Sequence, residues 1–120
     1  CMEIIQNKPK DFLFISGDDA ITLPLIALGA DGVISVVANA YPKEFSSLVS
    51  AALKGDFKTA QKIQYKLLTV MDLLFADGSP AGIKAALTIK GMVQNQLRLP
   101  LVPVNADVYK KLEKAIQALK

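Results

Sequence analysis

Two short apolar runs near the N-terminus place the tightest limit on what this chain can fold into. Residues 12–15 (FLFI) and 33–36 (VISV) each suit a strand buried on both faces, and a segment with helical spacing, 20–28, lies between them. The connections between the two strands and the helical segment are short, which predicts one right-handed crossover unit with parallel strands. From Pro42 onward no third strand pattern follows, so the predicted sheet has only two strands.

A two-stranded parallel sheet predicts that this chain is part of a larger α/β protein. Two parallel strands leave both outer edges and both faces open, which is unfavourable. Residues 2–8 (MEIIQNK) also have the pattern of the end of a helix, which Pro9 stops. We therefore expect the C-terminal piece of a longer protein, a barrel whose earlier strands lie outside this chain.

Helical patterns fill most of the remaining sequence. Asp56 and Asn105 are placed to cap two of the predicted helices, because each precedes a run with apolar residues three and four apart. Residues 92–104 (MVQNQLRLPLVPV) contain two prolines and no helical period, so an extended segment is predicted there. The predicted helices run over residues 42–54, 56–75, 79–90 and 105–119. Gly29 fits the left-handed residue just past the end of the segment 20–28, and Gly55 and Gly91 are expected to end two of the later helices. Residues 30–32 (ADG), which include Asp31, are predicted to form a short loop.

Composition excludes several classes of function. The 120 residues include no histidine and a single cysteine, Cys1, so the chain itself cannot form a Ser-His-Asp triad, an intrachain disulfide or a cysteine-based metal site. The net charge is +3, the lysines are scattered and Arg98 is the only arginine, so no nucleic-acid surface is expected. No apolar stretch approaches the roughly 20 residues of a membrane span and no signal peptide pattern begins the chain. We expect a cytoplasmic protein.

Small and polar residues follow each predicted strand at its carboxyl end. Ser16-Gly17-Asp18-Asp19 follows the first strand, and residues 35–39 (SVVAN) close the second. In barrels the chemistry is built at the carboxyl ends of the strands, so these residues form the candidate site. Gly17 would let backbone and substrate approach closely, although an ordinary tight turn is the alternative interpretation.

The adjacent carboxylates Asp18 and Asp19 allow two interpretations. An acid just before a helix caps free N–H groups and suits the helix dipole, worth about 0.5–2 kcal/mol, and we favour this role for Asp19. Paired general acid–base catalysis would require burial or crowding to hold one carboxyl protonated. Lys84 and Lys90 flank the apolar face of a helix, so they are interpreted as solvated or salt-bridged rather than nucleophilic.

The run at residues 15–42 (ISGDDAITLPLIALGADGVISVVANAYP) resembles the dihydrodipicolinate synthase and N-acetylneuraminate lyase family of pyruvate-dependent class I aldolases. The short motifs of this chain occur in the same order as in the family. They are SGDD, a helix ending in LGADGVISV, AN, LF, a proline-containing turn before Lys84, and LRLPL. The similarity covers essentially the whole chain. The turn at 79–82 (SPAG) departs from the family's commoner Asn-Pro-x-Pro pattern.

The resemblance implies an α/β fold: residues 1–55 as the last two βα units of a (β/α)8 TIM barrel, and 56–120 as a three-helix C-terminal domain. It implies an enzyme that condenses pyruvate with aspartate semialdehyde, a step toward lysine and diaminopimelate, through a Schiff base and without a cofactor. The Schiff-base lysine belongs to strand six of the family's barrel, and its usual setting has no match here. We therefore expect the chain alone to be inactive.

The resemblance also implies site residues and partners. Gly17 and the main-chain carbonyl of Ile34 would line the substrate pocket, whereas Asp18 and Asp19 would lie at the mouth of the barrel. Pyruvate and aspartate semialdehyde are the implied ligands, no metal is expected, and a homo-oligomer is the expected assembly. Two alternatives stay open: an N-acetylneuraminate or keto-deoxy-sugar lyase of the same family, and a non-catalytic helical assembly module.

Overall fold

The computed structural model describes residues 1–119 and shows a mainly helical chain with one short parallel sheet. Two compact units are formed, one from Cys1 to Tyr65 and one from Lys66 onward. Among the described helices, none is long and apolar enough to cross a membrane. In chain order the elements are α1 (Met2–Asn7), β1 (Ile15–Ser16), α2 (Thr22–Ala27), β2 (Gly32–Val33), a 3-10 helix (Val37–Asn39), α3 (Pro42–Leu53), α4 (Phe57–Phe75), α5 (Ala81–Ile89) and α6 (Ala106–Gln117).

The strands β1 and β2 run parallel, as predicted, but each has only two residues. The first residue of β1 lies opposite the first residue of β2, and the second opposite the second. The predicted runs 12–15 and 33–36 overlap the strands at one residue each, Ile15 and Val33. The crossover order of strand, helix and strand is therefore confirmed, whereas the predicted strand bounds are wrong.

A side chain takes the place of a ladder partner just before β1, which explains part of the difference. The N–H of Phe14 donates to the carboxylate of Asp31 at 2.8 Å, and the N–H of Asp31 donates to the carbonyl of Phe14 at 2.9 Å. The predicted burial on both faces is also wrong for the described residues. Phe12 is 54% exposed, Leu13 67% and Ile34 79%, because so short a sheet covers little apolar surface.

The core of the first unit forms where α2, α3 and the 3-10 helix pack together. Its buried side chains include Leu25, Val37, Phe45 and Leu48. Gly29 has a φ of +104° just after α2, so the predicted left-handed residue at this helix end is confirmed. The side chain of Asp56 accepts a hydrogen bond from Thr59 N at 3.1 Å and caps α4, as predicted.

In the second unit, α5 packs against α6. The side chain of Asn105 accepts a hydrogen bond from Val108 N at 2.9 Å, so the predicted cap of α6 is confirmed. The buried face of α6 consists of Val108, Leu112 and Ile116, three of the residues that the apolar spacing predicts to face inward. Residues 92–104 form turns and irregular chain without a helix or strand, in agreement with their two prolines.

Candidate functional site

The loop that leaves β1 is held in place by hydroxyl groups. Ser16 Oγ accepts a hydrogen bond from the N–H of Asp18 at 3.2 Å and donates to the carbonyl of Asp18 at 3.0 Å. Thr22 Oγ1 lies 2.7 Å from the same carbonyl and 3.1 Å from Ser16 Oγ. Because Ser16 and Thr22 are both buried, these bonds fix the bend at Gly17 between β1 and α2.

Gly17 lies at the exposed top of this loop and faces open space. A Cβ atom added there would meet no atom of the described chain within 4 Å, and the residue does not have a positive φ. Backbone conformation therefore does not require glycine at this position. The predicted reason for glycine, room for a substrate beside the main chain, agrees with this open space and stays a prediction.

The two adjacent carboxylates have different environments. Asp18 is exposed, and its Oδ1 accepts a hydrogen bond from Ala20 N at 2.9 Å, which closes a local turn. Asp19 is only 1% exposed, and its Oδ2 accepts hydrogen bonds from Val36 N at 3.0 Å and Val37 N at 2.8 Å. Asp19 therefore joins the end of β1 to the chain that follows β2.

The prediction that Asp19 caps the helix after β1 is wrong. The residue at the N-cap of α2 is Ile21, and no side chain makes a capping hydrogen bond there. Asp19 instead binds the free N–H groups at the start of the 3-10 helix, which is a capping interaction with a different element. Local spacing could not reveal this, since the partners lie 17 and 18 residues away.

Ile34 lies directly beyond β2, next to the Gly17 loop. Its N–H donates to the carbonyl of Ser16 at 2.9 Å, and its side chain is largely exposed. Ser35 Oγ accepts a hydrogen bond from Ala38 N at 2.9 Å, so the chain after Ile34 turns at once into the 3-10 helix. The structure thus brings the carboxyl ends of both strands together, and Gly17 and Ile34 lie on the two adjacent segments that leave these strands.

A third carboxylate, for which the sequence indicated no role, supports the chain just before β1. Asp31 Oδ2 accepts hydrogen bonds from Phe14 N at 2.8 Å and from Lys8 Nζ at 3.1 Å. Lys8 Nζ also donates to the carbonyl of Phe12 at 2.8 Å. The Phe14 N–H and the Lys8 ammonium favour the ionised carboxylate, so they hold the pKa of Asp31 below its usual range.

Replacing Asp31 with asparagine should destabilise the first unit near neutral pH and much less in acid. A carboxylate whose folded-state pKa is lowered contributes stability above about pH 4, and that contribution is lost as the pH falls through the folded-state pKa. Urea unfolding of the wild-type and Asp31→Asn chains from pH 7 to about pH 3 measures the difference. The exposed Asp11→Asn variant is the control. An Asp31→Asn deficit independent of pH would contradict this role.

The lysines Lys84 and Lys90 lie on and just after α5 in the second unit. Lys84 lines a cavity of about 240 Å³, together with apolar side chains of α5 and of the irregular segment that follows. Lys90 is exposed. Among residues 1–119 no group of three or more cysteine, aspartate or glutamate side chains is placed to hold a metal ion.

The fold and the candidate site together define a class: α/β proteins that build a site at the carboxyl ends of parallel strands. The chain belongs to the dihydrodipicolinate synthetase family, whose model matches residues 1–119. It is 52% identical over 118 residues to the 4-hydroxy-tetrahydrodipicolinate synthase of Phocaeicola vulgatus, covering 98% of this chain and 40% of that protein.

Solved structures show the same similarity. The crystal structure of dihydrodipicolinate synthase from Aquifex aeolicus matches with a TM-score of 0.92 at 39% identity, over 98% of this chain and 40% of that one. The chloride-inhibited dihydrodipicolinate synthase of Acinetobacter baumannii, complexed with pyruvate, matches with a TM-score of 0.93 at 31% identity and the same coverage. The chain therefore spans about 40% of the length of the relatives it matches.

Proposed function

We propose that this chain is part of a 4-hydroxy-tetrahydrodipicolinate synthase. In this proposal residues 1–55 are the last two βα units of a (β/α)8 barrel, and 56–120 are its three-helix C-terminal domain. The family match and the named relatives support the enzyme class, and the coverage of about 40% supports a partial barrel. The exposed apolar side chains around β1 and β2 support it as well, since neighbouring strands of a closed barrel would cover them.

The proposed reaction condenses pyruvate with aspartate semialdehyde. The carbonyl carbon of pyruvate forms an imine with a lysine amine, and water leaves. We assign that lysine to a barrel strand outside this chain, because β1, β2 and the segments that follow them, residues 15–41, contain no lysine. The contribution of this chain is to shape the pocket, and without the nucleophile it is inactive alone.

Within that pocket, Gly17 and Ile34 would have separate roles. Gly17 leaves the space that any side chain would fill, so substrate can lie against the main chain. The carbonyl oxygen of Ile34 is the negative end of a peptide dipole, and a dipole fixed near the protonated imine would stabilise its positive charge. Asp18 would lie at the mouth of the barrel, where it is exposed to an entering substrate.

One observation carries this proposal beyond the family match. The carbonyl of Ser16 accepts the N–H of Ile34 at 2.9 Å, which holds Gly17 and Ile34 side by side at the carboxyl ends of the strands. In a barrel this is the end where substrates bind.

The test is a chimera in which this chain replaces the matching 118 residues of the Phocaeicola vulgatus synthase, hereafter the chimera. We expect the chimera to form a pyruvate adduct that borohydride reduces to a stable amine, visible by mass spectrometry, and to condense pyruvate with aspartate semialdehyde. The isolated chain, treated in the same way, should gain no pyruvate. An adduct on the isolated chain would overturn the assignment of the nucleophile.

We further propose that the assembled enzyme is a homo-oligomer. Exposed apolar side chains of α1 and at the ends of α2, among them Met2, Ile4, Ile21 and Leu28, support a covered face in the assembly. If the chimera associates but traps no pyruvate, the non-catalytic assembly module is favoured over the synthase.

A further inference from the structure

The carboxylate of Asp19 is buried within the candidate site and faces no open space. With 1% of its surface exposed, its Oδ2 accepts the N–H groups of Val36 and Val37 at 3.0 and 2.8 Å. Val37 is itself fully buried. A single buried oxygen thus fixes two consecutive peptide units that lie just beyond β2.

Hydrogen bonds fix both ends of the short segment from residue 34 to residue 37. At its start, Ile34 N donates to the carbonyl of Ser16 at 2.9 Å, and at its end Asp19 binds the N–H groups of Val36 and Val37. The carbonyl of Ile34 belongs to the peptide between these two anchors. Because a peptide unit is planar, its carbonyl direction follows from the positions of its flanking residues.

Burying a carboxylate is costly, and here the cost is only partly offset by hydrogen bonds. The second oxygen, Asp19 Oδ1, is buried and has no hydrogen-bond partner among residues 1–119. An asparagine would offer the two N–H donors a neutral oxygen of the same shape at a smaller desolvation cost. A charged side chain at position 19 is explained if it strengthens the two hydrogen bonds to the start of the 3-10 helix. Hydrogen bonds to an ionised acceptor are about twice as strong as neutral ones.

We propose that Asp19 is a positioning residue: its carboxylate sets the direction of the Ile34 carbonyl toward the pyruvate imine without itself touching substrate. The inference rests on the proposed function, since that function gives the Ile34 carbonyl its role. It differs from the expectation that Asp19 works at the mouth of the barrel, because a side chain 1% exposed in this chain presents no surface to a ligand there.

The first experiment tests the hydrogen bonds between the Asp19 carboxylate and the N–H groups of Val36 and Val37, and it does not depend on enzyme activity. Amide hydrogen exchange is measured on the chain by NMR for wild type and Asp19→Asn, with Asp31→Asn as the matched control. We expect exchange at Val36 and Val37 to rise about tenfold or more in Asp19→Asn, because charge-assisted bonds are replaced by neutral ones. Asp31→Asn should leave these two amides unchanged relative to the rest of the first unit. Unchanged exchange in Asp19→Asn would overturn the proposal.

The second experiment tests the consequence in the chimera. The rate of imine formation with pyruvate, trapped by borohydride, should fall about threefold to tenfold in Asp19→Asn and about 10–100-fold in Asp19→Ala, in that order. Asp31→Asn reports what a loss of stability alone does to the rate. If Asp19→Ala does not fold, the Asp19→Asn rate together with its exchange data decides the question.

The outcomes separate this inference from the function on which it rests. If the wild-type chimera traps no pyruvate, the proposed function fails and the positioning role fails with it. If the wild-type chimera forms the adduct and both Asp19 variants match its rate, only the positioning role is overturned. A rate that falls equally in Asp19→Asn and Asp31→Asn would show a structural effect and would also overturn the positioning role.

Discussion

Replacing Gly82 with alanine is expected to destabilise the second unit by about 3 kcal/mol or more. A Cβ atom at Gly82 would overlap the carbonyl oxygen of Leu74 and would lie 2.5 Å from its carbonyl carbon. Both atoms belong to the backbone of α4, so no change of rotamer can relieve the overlap. The helices α4 and α5 would have to separate, and buried residues of α5 such as Ala85 and Ala86 would lose their packing.

Whether Gly82→Ala raises or lowers the free energy of unfolding distinguishes a close approach at this position from its absence. Helix propensity alone favours alanine over glycine by up to about 1 kcal/mol, so without the close approach Gly82→Ala would be neutral or stabilising. Urea unfolding of the chain, followed by circular dichroism, measures the change. Gly17→Ala is the matched control, because a Cβ there meets nothing within 4 Å and should alter stability by less than about 0.5 kcal/mol. A stabilised Gly82→Ala variant would refute the close approach of Gly82 to the backbone of Leu74.

The features of the fold that could be predicted from the sequence are those that neighbouring residues determine. Gly29, Gly55 and Gly91 were predicted to end helices, and all three have a positive φ immediately after one. The caps at Asp56 and Asn105 follow from the same local chemistry, since each side chain bonds an N–H three residues ahead.

The features that could not be predicted depend on groups far apart in the sequence. Gly82 looks like any residue in the first turn of a helix, and only the approach of Leu74 shows why a side chain is excluded. Asp31 was predicted to lie in a plain loop, whereas its carboxylate binds Phe14 N, 17 residues earlier. Asp19 was given a local role for the same reason, because spacing along the chain does not identify a partner across two strands.

The same limit applies to the candidate site. Its location at the carboxyl ends of two parallel strands followed from the order of strand, helix and strand, and the crossover is confirmed. The different environments of Asp18 and Asp19 did not follow, because Asp19 is buried where its carboxylate binds Val36 and Val37, which are distant in the sequence. Two adjacent and chemically identical residues thus have separate roles, one in a local turn and one between chain segments.

Replacing Phe45 with alanine is expected to destabilise the first unit by about 3–5 kcal/mol. Phe45 lies on α3, is 2% exposed and belongs to the core that α3 forms with α2 and the 3-10 helix. Removing the ring loses its burial and leaves a cavity that rigid neighbours cannot fill. The matched control in the chain is Phe12→Ala: Phe12 is 54% exposed, so this variant should change stability by less than about 0.5 kcal/mol.

The chimera reverses the expectation for Phe12 and tests the barrel directly. If residues 1–55 are the last two βα units of a closed barrel, neighbouring strands cover Phe12 in the chimera, and Phe12→Ala should then cost about 3 kcal/mol. Phe45→Ala should have a similar cost in the chain and in the chimera, since its core lies within the first unit. Urea midpoints for the four variants give the comparison. A Phe12→Ala cost that stays small in the chimera would contradict the barrel, because the units that precede β1 in the barrel would then leave this apolar side chain exposed.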